Sequence, residues 1–220
     1  MKSSMKRWHL VVLVSVALVA AFVVGAILYK DQQRQAQGSL ARSQASVLIR
    51  EHSQTLGTAD AKVAIVEFLD PGCETCRVFE PFVKQLLATY PGKVKLVIRY
   101  APLHHGADGM VAILEAARRQ GRYWETLHVM YESQPYWADH HSPQPQLIWQ
   151  FLPRAGLDLA RLERDAADPA IARLIEQDMA DARALGVTRT PGFFVNGKPL
   201  VVFGHEQLRA LVEAEVRASY

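Results

Sequence analysis

"FLDPGCETCRVFEP", residues 68–81, decides how this chain reads, because it sets the only two cysteines among 220 residues three positions apart. Just upstream, VAIVEFLD (63–70) is a β-branched apolar run closed by Pro71-Gly72, the pattern of a buried strand. Downstream, Val78, Phe82, Leu86 and Tyr90 recur at every fourth position, which predicts a helix from about Cys73 to Tyr90, stopped by Pro91-Gly92. KVKLVIRYAP (93–102) is a second strand. Strand, helix and strand at these lengths form a βαβ unit with a right-handed crossover.

The rest of the chain extends that unit. Residues 107–186 read as helical almost throughout: GMVAILEAARRQG, RYWETLHVMYESQ, a shorter PQLIWQFLPRAG, then DLARLERDAADPAIARLIEQDMADARALG with a break at Asp168-Pro169. Strand signals return only in GFFVNGKPLVVFG (192–204), where Asn196-Gly197 predicts a type I′ hairpin, and HEQLRALVEAEVRAS closes the chain as a helix. The expected architecture is an α/β domain over 62–218, a mixed sheet interrupted by a helical insertion at about 105–186. Ahead of it, 31–61 is a polar tether rich in Gln, Ser and Ala. Leu40, Val47 and Leu48 would give a helix around 40–51 an apolar side. A solvated spacer is the favoured reading; packing or homodimerisation through this segment stays open.

The first thirty residues point to a membrane. Lys2, Lys6 and Arg7 precede an uncharged run of 19 residues from Leu10 to Leu28, bracketed by Trp8 and Tyr29. At about 1.5 Å per residue the run covers roughly 28 Å, close to the hydrocarbon thickness of a bilayer. The basic residues before it outweigh Lys30 and Arg34 after it, so the expectation is a single-pass anchor with a cytoplasmic N-terminus and an exported domain. A cleaved signal peptide is the competing reading, but its apolar region would be shorter. Either way the domain lies where disulfides persist. The net charge of +3 gives no argument for nucleic acid.

Three chemistries fit Cys73-Glu74-Thr75-Cys76. A structural zinc needs four ligands, and His104, His105, His140 and His141 are distant in sequence. A structural disulfide would close a very small loop and add little stability. Redox exchange is the reading the surroundings favour. A cysteine opening a helix sits beside unpaired N–H groups and the positive end of the macrodipole, which favours the thiolate. Cys73 is then the nucleophile, and Cys76, one turn on, resolves the mixed disulfide. Glu67, a lone carboxyl in an apolar strand, is a candidate to carry the proton of Cys76, with its pKa raised by desolvation; a solvent-facing edge residue is the alternative. Thr190-Pro191 precedes a strand, and a cis bond there would expose backbone groups for an extended client. Phe68, Phe79 and Phe193 are candidates for an apolar surface around the sulfurs.

VEFLDPGCETC, the βαβ crossover, the helical insertion and GVTRTPGFFVNGKPL together resemble the DsbA-like branch of the thioredoxin superfamily over roughly residues 57–218. The resemblance implies a thioredoxin fold with an inserted helical domain, a cis-proline at Pro191, and periplasmic dithiol–disulfide exchange. It matches Glu67 to the buried acidic residue and Thr190 to the residue before the cis-proline. The strongly oxidising members carry Pro-His between the cysteines. Here Glu74 opposes a thiolate at Cys73 and Thr75 only hydrogen-bonds, with Arg77 offsetting Glu74, so a weaker oxidant is expected. The activity expected is that of an inner-membrane-anchored oxidoreductase. Its partners would be exported proteins with thiols or disulfides, bound near Thr190, Pro191 and Phe193, and a membrane redox partner. No dissociable cofactor and no metal are expected, since the electrons reside on the Cys73–Cys76 pair. Two alternatives stay open: a reductase or isomerase fed by a membrane electron donor, and a copper-handling protein using the CxxC with one histidine from each loop.

Overall fold

The computed structural model describes residues 18–19, 22–32, 45–139 and 143–220. Residues 22–32 are helical, with Phe22, Ile27, Leu28 and Tyr29 exposed. Among the described residues no helix is long and apolar enough to cross a membrane. Much of the expected 10–28 anchor, most of the tether, and His140 and His141 lie outside the described residues.

Five strands form one mixed sheet: β1 (Gln54–Leu56), β2 (Val63–Leu69), β3 (Val94–Tyr100), β4 (Gly192–Val195) and β5 (Lys198–Pro199), in the order β1-β3-β2-β4-β5. β2 runs parallel to β3 and antiparallel to β4. Helix α2 (Glu74–Thr89) makes the crossover from β2 to β3. The expected βαβ unit is therefore present. Asn196 and Gly197 both have positive φ at the β4–β5 turn, as the Asn-Gly signal requires.

Every residue of β2 is buried, and side-chain alternation splits them between two cores. Val63, Ile65 and Leu69 join the larger core with α2 residues Cys76, Phe79, Val83 and Leu86 and the closing helix α7 (His205–Ser219). Ala64, Val66 and Phe68 face the smaller core with Val97, Phe194, Leu48, Ala182 and Leu185. Parity thus places Phe68 on the side away from the sulfurs, where it meets Phe194 edge-on at 6.0 Å; it does not contribute to a surface around them. The buried stripe of α2 also differs from the sequence expectation. Val78 is 49% exposed, and the face turned inward is the one through Cys76, Phe79 and Val83. The i+4 row of apolar residues is one row off because α2 must turn its cysteine toward the sheet.

Helices α3 (Ala107–Arg118), α4 (Tyr123–Trp137), α5 (Leu159–Ala166) and α6 (Pro169–Ala184) make the insertion between β3 and β4. Asp158 and Asp168 cap α5 and α6 by accepting from the N–H groups of Arg161 and Ala170, so the break at Asp168-Pro169 is a helix start. The PQLIWQFLPRAG stretch forms two 3₁₀ turns, Pro145–Gln150 and Leu152–Ala155, each with proline near its start, in place of one α-helix.

The sheet reaches further toward the N-terminus than the sequence reading drew it. Gln54–Leu56 adds an edge strand antiparallel to β3, and the short helix α1 (Ala45–Leu48) buries Leu48 in the smaller core. A charged network fastens this segment. Arg50 is bidentate to Asp181 at 2.8 Å, and His52 Nε2 lies 2.6 Å from Asp178. Fully buried Arg99 donates to both Asp178 and Asp181 at 2.6 Å and to the Val47 carbonyl. These groups are 50 or more residues apart in sequence, so nothing local announces their pairing. Removing one member strands a buried charge. Asp178→Ala is expected to destabilise the domain by about 3–5 kcal/mol in urea unfolding; a loss under about 1 kcal/mol would show that Arg99 finds solvent or another partner.

Candidate active site

Alternation along β2 also puts Glu67 on the α2 face, beneath the start of that helix. The turn 70–73 then carries the chain from strand to helix. Asp70, fully buried, organises it: one carboxylate oxygen accepts from the Gly72 N–H at 2.7 Å, and the other accepts from the N–H groups of Leu103 and His104 at 2.7 and 2.9 Å and lies 2.7 Å from His104 Nδ1. The Asp70 carbonyl also accepts from the Cys73 N–H at 3.0 Å. A side chain at Gly72 would press on His104 Cβ at 3.2 Å and Asp70 Oδ1 at 3.3 Å, so the close approach needs glycine. Gln134, from α4 of the insertion, closes the other side. Its amide donates to the carbonyls of Pro71 and Cys73 at 2.8 and 3.0 Å and accepts from Arg77 at 2.9 Å.

Cys73 occupies the N-cap position of α2 and is 5% exposed; Cys76 is fully buried one turn on. Both are free thiols. Their acidities are driven apart. Cys73 is lowered from an ordinary 9.0 to about 5, chiefly by the hydrogen bond from the Cys76 thiol, with Thr190 and the N–H groups of Cys76 and Thr75 adding to it against the opposing effect of burial. Cys76 is pushed well above its usual value by burial and by its bond to Cys73. Glu67 is raised from 4.5 to about 8, first by burial, then by the charges of Cys73 and Glu80.

Glu74 is 60% exposed at its side chain and pairs with Arg77 at 3.0 Å. The Thr190-Pro191 bond is cis, and the Thr190 carbonyl accepts from the Cys73 thiol at 3.2 Å. Cys73, Thr75, Leu103, His104, Arg189 and Thr190 border an open groove of about 390 Å³. A second groove of about 380 Å³ runs between the 185–191 loop and the β4–β5 hairpin, bordered by Pro191, Leu200 and Phe203. Phe193 underlies it but is 3% exposed and packs tilted against Phe79 at 5.5 Å between ring centres, so it supports the site from the core.

The structure thus gathers Cys73, Cys76, Glu67, Thr75, Thr190 and Pro191 at one end of the sheet. It adds Asp70, His104 and Gln134, whose supporting roles sequence reasoning missed, and holds Arg77 against Gln134 as well as Glu74. Asp70 ends the strand quoted above as a plain surface acid would, and Gln134 sits in a helix that reads as ordinary core; only the approach of the 103–104 loop to the first and of α4 to the cysteine turn reveals them. Among the described residues no group of three or more His, Cys, Asp or Glu side chains is placed to hold a metal.

The family model described as "Thioredoxin" matches residues 49–214. The chain belongs to the thioredoxin family. As the resemblance implied, a disulfide bond formation protein and a thioredoxin-like oxidoreductase are among the proteins it is similar to. The chain is 27% identical to "Probable disulfide bond formation protein D" of Bacillus anthracis over 99% of this chain and 100% of that protein. A thioredoxin-like oxidoreductase from Silicibacter pomeroyi DSS-3 superposes with a TM-score of 0.68 at 27% identity, over 80% of this chain and 98% of that one. The Na(+)/H(+) antiporter NhaA 3 of Salinispora tropica is 34% identical over 68% of this chain; the chain spans only 22% of that protein's length. The fold of this thioredoxin-family chain, with its inserted helices, is that of the dithiol–disulfide oxidoreductases.

Two outcomes test the electrostatics. Alkylation of reduced protein should titrate at Cys73 with a midpoint near pH 5, while Cys76 stays unreactive up to pH 9; a midpoint near 9 would remove the basis of the site. Glu67 is neutral in the folded protein below about pH 8 but ionised above 4.5 when unfolded, so its burial costs stability as pH rises through that window. Glu67→Gln should therefore match the wild type in thermal unfolding at pH 4 and exceed it at pH 8.5.

Proposed function

We propose that this chain is a membrane-anchored, extracytoplasmic thiol–disulfide oxidoreductase acting on exported proteins. The observation that carries the reading is the opposed acidity of two thiols one helical turn apart, the outer one ionised at neutral pH and the inner one held as thiol. In the oxidised state a client thiolate attacks the Cys73 sulfur, forming a client–Cys73 disulfide and releasing Cys76 as thiolate, which takes a proton from Glu67. A second client thiolate then displaces Cys73, which leaves as the stabilised thiolate, and the client is oxidised by two electrons. Run in reverse, Cys73 attacks a client disulfide, and Cys76 resolves the mixed disulfide by passing its proton to the Glu67 carboxylate.

Glu67 suits both directions because its acidity depends on the state of Cys73. Its second-largest perturbation is the charge on that sulfur. Once Cys73 is tied up in a mixed disulfide the charge is gone, the Glu67 pKa falls toward neutrality, and the base form becomes available at the step that needs it. The client chain would run along the groove past Thr190 and Pro191, with its sulfur reaching Cys73 beside the Thr190 carbonyl. Residues 10–28 would hold the domain at the inner membrane, near a membrane redox partner that resets the pair. No cofactor beyond Cys73 and Cys76 is required.

A thiolate pKa near 5 lies between about 7 in thioredoxin and about 3.5 in DsbA. The Cys73–Cys76 potential should accordingly fall between about −270 and −120 mV in a glutathione titration. Cys76→Ser should accumulate a mixed disulfide through Cys73 with a reduced client treated with oxidant, seen as a non-reducing gel shift that Cys73→Ser abolishes. A potential at or above −120 mV, or no trapped adduct, overturns the proposal.

A further inference from the structure

The loop 101–106, which leads from β3 into the insertion, lays an imidazole against the cysteine turn. A Cβ placed on Gly72 would come within 3.2 Å of His104 Cβ and 3.7 Å of its Cγ, so the root of the ring sits over the backbone just before Cys73. Its Nδ1 lies 2.7 Å from Oδ2 of Asp70, whose side chain is fully buried. The other donors to that carboxyl, among the described residues, are backbone N–H groups: Gly72 on one oxygen, Leu103 and His104 on the other. A proton on the carboxyl would point at an N–H, so the carboxyl is the acceptor and Nδ1 carries the hydrogen between the two. In the neutral ring the lone pair then stands on Nε2. The His104 side chain is 37% exposed, and it borders the groove of about 390 Å³ that opens on Cys73, Thr75 and Thr190.

We infer that His104, held by Asp70, is the catalytic base and acid for the client's sulfur: Nε2 takes the proton of the client thiol as that sulfur attacks Cys73, and in reverse returns it to the departing client thiolate. The client S–H bond breaks, its proton goes to Nε2, and its electron pair forms the bond to Cys73 Sγ. The Cys73–Cys76 bond breaks with its pair on Cys76, which Glu67 protonates. The imidazolium faces the Asp70 carboxylate and passes its proton to solvent before the second client thiol attacks. Glu67, 3% exposed beneath α2, serves the inner thiol and does not border this groove. Of the other polar side chains that do, Thr75 and Thr188 carry no proton to exchange near neutral pH, Arg189 stays charged, and Glu74 pairs with Arg77. Imidazole is the side chain suited to that exchange. Cys73 owes its lowered pKa chiefly to Cys76, Thr190 and backbone N–H groups, which leaves the imidazole to the incoming sulfur. A cysteine of ordinary pKa, about 8.5, is only about 3% thiolate at pH 7, so ionising it on arrival is worth up to about thirtyfold.

This inference rests on the exchange reading above and deepens it, and its test separates the two. In the full chain, His104→Asn keeps an N–H toward Asp70 and removes Nε2. Oxidised protein is mixed at pH 7 with a series of small thiols, from aryl thiols already ionised to alkyl thiols mostly protonated. The initial rate of attack on the Cys73–Cys76 disulfide is followed by quenched flow. His104→Asn should slow the alkyl thiols by about tenfold to thirtyfold, and the loss should shrink steadily toward the aryl thiols. The midpoint of Cys73 alkylation in the reduced variant should stay near pH 5, which a disturbed helix start would not allow. An equal loss across the series, or none for the alkyl thiols, overturns the role of His104 and leaves the exchange activity standing. If the wild type reacts with neither class of thiol, the exchange reading fails and the role of His104 falls with it. Should the variant fail to fold, nitrogen NMR of the His104 ring in the wild type decides the matter: a hydrogen on Nδ1 with the lone pair on Nε2 supports the inference, and the opposite tautomer overturns it.

Discussion

The site depends on where β2 ends relative to where α2 begins. The strand delivers Glu67 to the face under the helix, and the four-residue turn after it sets Cys73 at the N-cap of α2 with Cys76 one turn on. A shift of one residue in that register would turn Glu67 into the smaller core, move Phe68 out of it and leave the sulfurs over an apolar floor. Full burial of the strand fixes the register: every residue from Val63 to Leu69 has a packed place on one face or the other, so slippage would misplace all seven.

From that junction the acidities follow. The N-cap position gives Cys73 backbone N–H donors, and Cys76 gives it a thiol donor, while the same burial that raises Cys76 raises Glu67. One desolvated environment thus yields a leaving group, a resolving thiol and a proton carrier, because the helix start favours charge at a single point and the apolar surroundings disfavour it elsewhere. The Glu74 carboxylate bonds Arg77, the residue expected to offset it, and Arg77 is held in turn by Gln134.

The insertion is more than a cover. Gln134 binds two carbonyls of the cysteine turn, and α6 carries Asp178 and Asp181, which fasten the segment ahead of β1 to Arg99. The chain leading toward the N-terminus is thereby tied to the sheet a few residues before the first strand, with Leu48, Arg50 and His52 fastened to the domain.

The sequence alone determined the strand–helix–strand unit, the break at Asp168-Pro169, the Asn196-Gly197 hairpin, the thiol pair with its one-turn spacing, and the lone carboxyl of the apolar strand, since each is set by periodicity or spacing within a short stretch. Only the tertiary structure decided which face of α2 is buried, that Phe68 and Phe193 serve the cores, that Asp70 and Gln134 brace the cysteine turn, and that His104 borders the groove at Cys73. Those facts rest on side chains dozens of residues apart that meet when two elements pack, and no local pattern of polar and apolar residues encodes a distance between helices.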